Sequence, residues 1–287
     1  MTDAANDEFV TTGDLRARLA VATRLVEEAG RMALAMRPEA GAPAATLKGV
    51  QDWLTEADGA VERFVGTALA EAFPRDGFLG EEGGRRAHAL AGGALTWVID
   101  PIDGTANYAR GSTRFCVSLG LMAGDEALLG VVAAPALGET YAAARGLGAT
   151  CNGAPIRVAA TTALERGTVE LGWSLRRPNA MFQAMLAAVM ATGAAVRLGG
   201  SGALALMDVA CGRTDAYVEL HSNLWDVAAG LAILAEAGAR VSPFTAGPTM
   251  SEGCPILAAT PAVAGPLAAS IGAAIEAGAL GLPADWR

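Results

Sequence analysis

The chain has 287 residues, 52% of them hydrophobic and 18% charged, with a mean hydropathy of +0.34. That length allows one large domain or two modest ones and folds without a disulfide or metal staple, and the composition excludes a disordered chain. Twenty-one Lys and Arg against 30 Asp and Glu leave a formal charge of −9, which repels phosphate backbones and argues against a nucleic-acid partner.

Residues 1–13 are polar and acidic, lack the basic and apolar regions of a signal peptide, and are expected to be a flexible N-terminal segment. Residues 14–37 carry apolar side chains at helical spacing until Pro38 stops them, and 56–73 repeat the pattern before Pro74. A loop is expected over 38–51, with Lys48 in it. A short apolar strand, 96–99, runs into Asp100, and 116–123 with 127–134 read as a hairpin turning at Gly124–Asp125. A strand over 140–144 and a turn at Asn152–Gly153 follow. From there strands and helices alternate: strand 168–173, helix 179–191, strand 195–198, helix 203–210, strand 215–219, helix 224–236 and strand 240–242. Residues 254–275 carry no formal charge, but three prolines and an Ala/Gly-rich composition argue for a strand at 256–259 and a packed helix from about 262, not a membrane span. The hairpin-rich half, 14–155, and the alternating half, 156–287, predict one compact α+β unit of two sheet layers between helix layers.

Cys116, Cys151, Cys211 and Cys254 have no C-x-x-C spacing, which argues against a zinc ribbon or disulfide framework and suits a reducing, cytoplasmic setting. With His88 and His221 as the only histidines, His-based zinc or Ser-His-Asp chemistry has little to draw on. His221 reads as a structural residue, Trp225 as packing beside Asp226, and Cys211 as inert core.

The strongest chemical signal is Asp100-Pro101-Ile102-Asp103-Gly104-Thr105 at the end of a buried strand. Pro101 fixes its own φ and keeps Asp100 out of helix, so a bent turn is expected that aims both carboxylates and the Ile102 carbonyl into one space. Such hard oxygen donors suit Mg²⁺, and N–H groups at the start of a following helix suit a phosphate. Three further acidic features accompany it: Glu81-Glu82 between glycines, Glu56 and Asp58 opening the second helix, and Asp226 opening the helix at 224–236. Each of these alone is ordinary turn, cap or first-turn chemistry.

Taken together and in order, Gly80-Glu81-Glu82, Asp100-Pro101-Ile102-Asp103-Gly104-Thr105 and Trp225-Asp226-Val227-Ala228-Ala229-Gly230 resemble the motifs of the inositol monophosphatase family over roughly residues 14–275. The resemblance implies a layered α-β-α-β-α fold of the inositol monophosphatase and fructose-1,6-bisphosphatase type. It implies hydrolysis of myo-inositol monophosphate, or a similar polyol phosphate, by metal-activated water. Two or three Mg²⁺ are implied, one held by Glu81, Asp100 and the Ile102 carbonyl, another by Asp100, Asp103 and Asp226. By the same resemblance Glu81 helps activate the water, and Thr105 accepts from it while donating to Asp58. Gly104 and Thr105 would bind phosphate through their N–H groups, and Gly200, Ser201, Gly202 and Glu219 the alcohol. A homodimer with lithium sensitivity is implied too, with a small phosphate monoester as partner and neither nucleic acid nor membrane.

The family often has Thr after Gly-Thr, where this chain has Ala106; relatives acting on nucleotide bisphosphates commonly place Lys there, so its absence argues mildly against that substrate. Histidinol-phosphate or sugar-bisphosphate hydrolysis on the same scaffold stands as the alternative activity. A non-catalytic binding protein is the remote one, and it would have lost at least one of Glu81, Asp100, Asp103 and Asp226.

Overall fold

The computed structural model describes residues 10–37, 46–49, 52–86, 95–244 and 253–275. Helix α1 (Thr12–Ala35) starts at a capping box in which Thr11 and Asp14 satisfy each other's backbone N–H groups. Its buried stripe of Leu15, Ala22, Val26, Ala29 and Ala33 packs with Ala57, Val61, Val65 and Leu69 of α2 (Glu56–Ala72). Both stripes recur at three- and four-residue spacing, so each helix covers the sheet with one face and leaves the other to water.

That sheet has eight strands in the order β10 (Ala154–Pro155), β9 (Gly148–Cys151), β8 (Glu139–Ala144), β7 (Glu126–Ala134), β6 (Cys116–Ala123), β5 (Leu95–Asp103), β3 (Gly77–Gly80) and β4 (Gly84–Arg86). Neighbours are antiparallel except β3 and β5, which run parallel. Helices α5 (Gly202–Ala210) and α6 (Leu224–Ala237) cover its other face and are apolar on nearly every side, as a middle layer requires. Small residues permit the close approach. A Cβ on Gly120 would stand 2.8 Å from the Ala228 backbone, and one on Gly130 would overlap the Ala229 carbonyl.

Beyond them lies a five-stranded sheet, β12 (Ala195–Arg197), β11 (Thr168–Leu171), β13 (Ala216–Ser222), β15 (Cys254–Ala259) and β14 (Arg240–Val241). In it β11 is parallel to β12 and β13, while β15 is antiparallel to β13 and β14. Helices α4 (Asn179–Ala191) and α7 (Pro261–Ala274) close the outer face. The expected α-β-α-β-α layering is therefore the one observed.

Three local expectations need correction. The loop expected through 38–51 contains β1 (Thr46–Gly49), which pairs with β2 (Asp52–Leu54); 38–45 and the Lys48 side chain lie outside the described residues. The strand expected to end at Ile99 continues to Asp103. The short pairings β4, β9 and β10 were not legible as strands, because each is only two to four residues long. Among the described residues no helix is long and apolar enough to cross a membrane, and all four cysteines are free thiols.

Candidate active site

The site begins with strand register. Parallel pairing sets Gly80 opposite Ile99, so Glu81 leaves the end of β3 beside Asp100, where β5 runs on. In β5 an ordinary pleat would send Asp100 and Asp103, three positions apart, to opposite faces. Pairing with β6 instead shifts: Asp100 faces Ser118 and Asp103 faces Cys116, so Pro101 and Ile102 together oppose Val117 alone. This two-against-one bulge restores both aspartates to one side. The bend read from Pro101 is thus a bulge inside the strand, closed by the Ile102 N–H donating to Asp100 at 3.0 Å.

Asp103 accepts from the Ser201 hydroxyl, from Ala203 N–H at 2.9 Å and from Gly202 N–H at 3.3 Å. It is the acidic partner of the start of α5, a role its own segment did not reveal. Asp226 is the third residue of α6 and accepts the Asn223 N–H at 2.6 Å in a capping box. Asp58 holds the equivalent place in α2, accepting from Thr55 N–H at 2.8 Å and Thr55 Oγ at 2.5 Å.

The electrostatics join these separate segments. Burial pushes the Asp100 carboxyl well above the usual range, and Glu81, Asp103, Asp226 and Asp58 push it further. Burial and then Glu81 do the same to Asp226. Burial raises Asp103 against the opposing pull of its hydrogen bonds from Ser201, Ala203 and Gly202. Like charges sharing a poorly solvated space resist ionising together. Among the described residues, the expected ligands Glu81, Asp100, Asp103 and Asp226 included, no three His, Cys, Asp or Glu side chains stand in an arrangement that could hold a metal ion as it is.

One expected contact differs. The Thr105 hydroxyl donates to the Ile102 carbonyl at 2.8 Å, not to Asp58. Thr105 opens the short helix α3 (Thr105–Ala109), where a hydroxyl reaches the carbonyl three residues back, while Asp58 is already satisfied by Thr55. Gly104, left-handed at φ 85°, makes the turn into α3, and a Cβ there would come within 2.9 Å of the Arg114 carbonyl.

Beside the acids opens a cleft of about 610 Å³. Asp103 and Asp226 line it together with Gly200, Ser201, Gly202 and Glu219, and Trp173, Phe182 and Leu198 supply an apolar wall. Glu219 accepts from the Tyr217 hydroxyl and from Ser222 Oγ at 3.2 Å, and burial moves its carboxyl up to about 7.

Tyr217 was missed, although its two-residue spacing from Glu219 on a strand places both on one face. Glu62 was missed as well. From α2 it accepts the N–H groups of Glu82 (2.8 Å) and Gly83 (2.7 Å) and so holds the turn that carries Glu81. A carboxylate four residues after Asp58, amid a buried stripe, was the available signal. Glu170, at 1% exposure, also lines the cleft. His221 is buried, and Trp225 packs against the middle core as expected.

The model of the inositol monophosphatase family matches residues 14–276. The chain is 39% identical over 200 residues to a Xylella fastidiosa protein named Nus factor SuhB, covering 69% of this chain and 71% of that one. It is 39% identical over 231 residues to the inositol-1-monophosphatase of Mycobacterium bovis, covering 77% and 78%. The solved inositol monophosphatase of Anabaena superposes with a TM-score of 0.79 at 31% identity, over 91% of this chain and 98% of that one. With the motif order, the layered fold and this match spanning nearly its whole length, the chain belongs to the inositol monophosphatase family.

Proposed function

We propose that the protein is a divalent-cation-dependent phosphomonoesterase acting on myo-inositol monophosphate or a closely similar small polyol phosphate. The observation that carries this reading is the buried Asp100 set among carboxylates from three other segments, with Asp103 and Asp226 of the same group lining a cleft. An all-oxygen donor set of that charge suits Mg²⁺ and not a soft metal. Glu81, Asp100, the Ile102 carbonyl, Asp103 and Asp226 would hold two or three such ions. Bound there, Mg²⁺ supplies positive charge for the phosphoryl oxygens and a water of lowered pKa.

The chain's own residues do the rest. Glu81 takes the proton from the attacking water, with Asp58 as the further acid nearby. Thr105 Oγ, its proton committed to Ile102, keeps lone pairs with which to accept from that water. The N–H groups of Gly104 and Thr105 receive phosphate oxygens. Gly200, Ser201, Gly202 and Glu219 take the alcohol, Glu219 as acceptor for its hydroxyl groups. No Lys or Arg is among the described residues lining the cleft, although Arg176 acts on Glu219 from nearby, and this weighs mildly against bisphosphates. A protein that had given up catalysis would have lost an acidic ligand, and all four are present.

The test is phosphate release from a panel of myo-inositol 1-phosphate, histidinol phosphate, fructose 1,6-bisphosphate and an adenosine bisphosphate, with Mg²⁺ and with chelator. Mg²⁺-dependent turnover led by the inositol ester is expected. Turnover that ignores chelator would reject the reading, and a lead by another ester would move the substrate.

A further inference from the structure

Asp103 is not the only grip on the cleft loop 199–202. Four residues further along the chain, the side-chain amide of Asn107 donates to three backbone carbonyls: Gly199 at 2.9 Å, Arg114 at 2.9 Å and Gly200 at 3.2 Å. Three acceptors around one end of the side chain require the NH₂ there, with its two hydrogens shared among them. The loop it holds is tightly shaped. Gly200 is left-handed at φ 72°, and a Cβ on it would approach Asn107 Nδ2 to 3.1 Å.

The two contacts are complementary. Asp103 accepts from the loop's N–H groups and hydroxyl, while Asn107 donates to its carbonyls. Both come from one short stretch, Asp103 to Asn107, that also carries the phosphate-binding residues of the function proposed above. We infer that Asn107 is a positioning residue that locks the alcohol-binding loop to the metal-binding strand end, and so sets where the substrate's alcohol lies relative to its phosphate. The inference rests on the proposed phosphatase reading. Asp103 holds only the 201–203 end of the loop, and Asn107 alone of the two holds the 199–200 end, so both ends are fixed only when both residues are in place. Displacement of about 1 Å at such a place costs on the order of a hundred-fold in rate.

The test uses the full chain. Asn107→Asp keeps the shape but turns a carboxylate on three carbonyl oxygens; Asn107→Ser removes the reach without adding charge and serves if the first variant folds poorly. Two readouts apply to each. Amide hydrogen exchange over 199–204 is expected to speed up at least ten-fold, with β6 and β7 unchanged. With Mg²⁺, kcat/KM for myo-inositol 1-phosphate is expected to fall about a hundred-fold. For p-nitrophenyl phosphate, whose leaving group makes no use of Glu219, it should fall less than about three-fold, as KM and kcat separate by substrate. Unchanged loop exchange overturns the inference, and so does an equal loss on both esters, which marks a merely structural residue. If the wild-type chain hydrolyses no phosphomonoester, the phosphatase reading fails, and the exchange readout alone then judges Asn107.

Discussion

Glu170 and Asp208 are as buried as Asp100 and Asp103, at 1% and 5% exposure against 2% and 8%, but they live under opposite electrostatics. Arg114 reaches Glu170 at 2.7 Å and Asp208 at 2.9 Å, and Arg197 reaches the same two at 3.2 and 2.9 Å. Around Asp100, Asp103 and Asp226, no Lys or Arg among the described residues makes an ion pair, and every nearby charge acting on Asp100 is another carboxylate. The contrast separates structural from chemical acids. A carboxylate matched by the chain's own arginines joins β11 to α5, whereas one left to its like neighbours is of the kind that the proposed function assigns to a cation from outside. Hydrogen bonds show the same division. Asp103 and Asp226 are held by N–H groups at helix starts, which orient the carboxylate without cancelling its charge.

The largest effect expected from this contrast is at Asp100. Asp100→Asn should lower Mg²⁺-dependent phosphate release by about a thousand-fold, equivalent to ~4 kcal/mol of barrier. In chelator the same change should raise the unfolding temperature, because it relieves a crowded field. Near-normal turnover in that variant would break the comparison outright.

At the matched cluster the sign reverses. Arg114→Met should destabilise the fold by about 3 kcal/mol in denaturant melts, since it leaves two buried carboxylates to the more exposed Arg197. A loss below about 1 kcal/mol would mean that Arg197 alone satisfies them.

Glu219 sharpens the contrast through pH. Its carboxyl sits at about 7 when folded, against an ordinary 4.5. Between those values the folded chain holds more protons than the unfolded, so this group's contribution to stability declines as pH rises through the window. Thermal unfolding in chelator should therefore drop by a few degrees from pH 4.5 to 7.5 through this group. Glu219→Gln should remove that part of the slope, and an unaltered slope would discount its buried charge.

The smallest effect belongs to the exposed pair Arg145–Glu126, 2.8 Å apart, with side chains 37% and 46% exposed. Glu126→Gln should change stability by less than about 0.5 kcal/mol. A larger change in denaturant melts would show that exposure does not separate the classes of ion pair.

Much of this was legible from local pattern. Helices at 179–191 and 224–236, the hairpin of β6 and β7, and the Asn152–Gly153 turn each follow from spacing and turn chemistry within a few residues. Asp100, Asp103 and Asp226 stood out because acids at the ends of buried elements are chemically conspicuous. Glu62, Tyr217, Glu170 and Asn107 did not. Each looks like ordinary helix, strand or loop chemistry until a distant segment is set against it: the 81–83 turn for Glu62, Arg114 for Glu170, and the 199–200 carbonyls for Asn107.

Residue order alone therefore settled the longer elements, the layered α+β class and the family, because these depend on short-range periodicity and on motifs read in sequence. Packing decided the remainder. Whether Thr105 turns to Asp58 or to Ile102, which face Asp103 takes after the bulge, and which acids receive an arginine are questions of competing partners. Those partners are separated by up to about a hundred positions in the chain, as Asp103 is from Ala203. Only folding gives such partners their distances, and charge and hydrogen-bond energies depend on distance and burial, not on position along the chain.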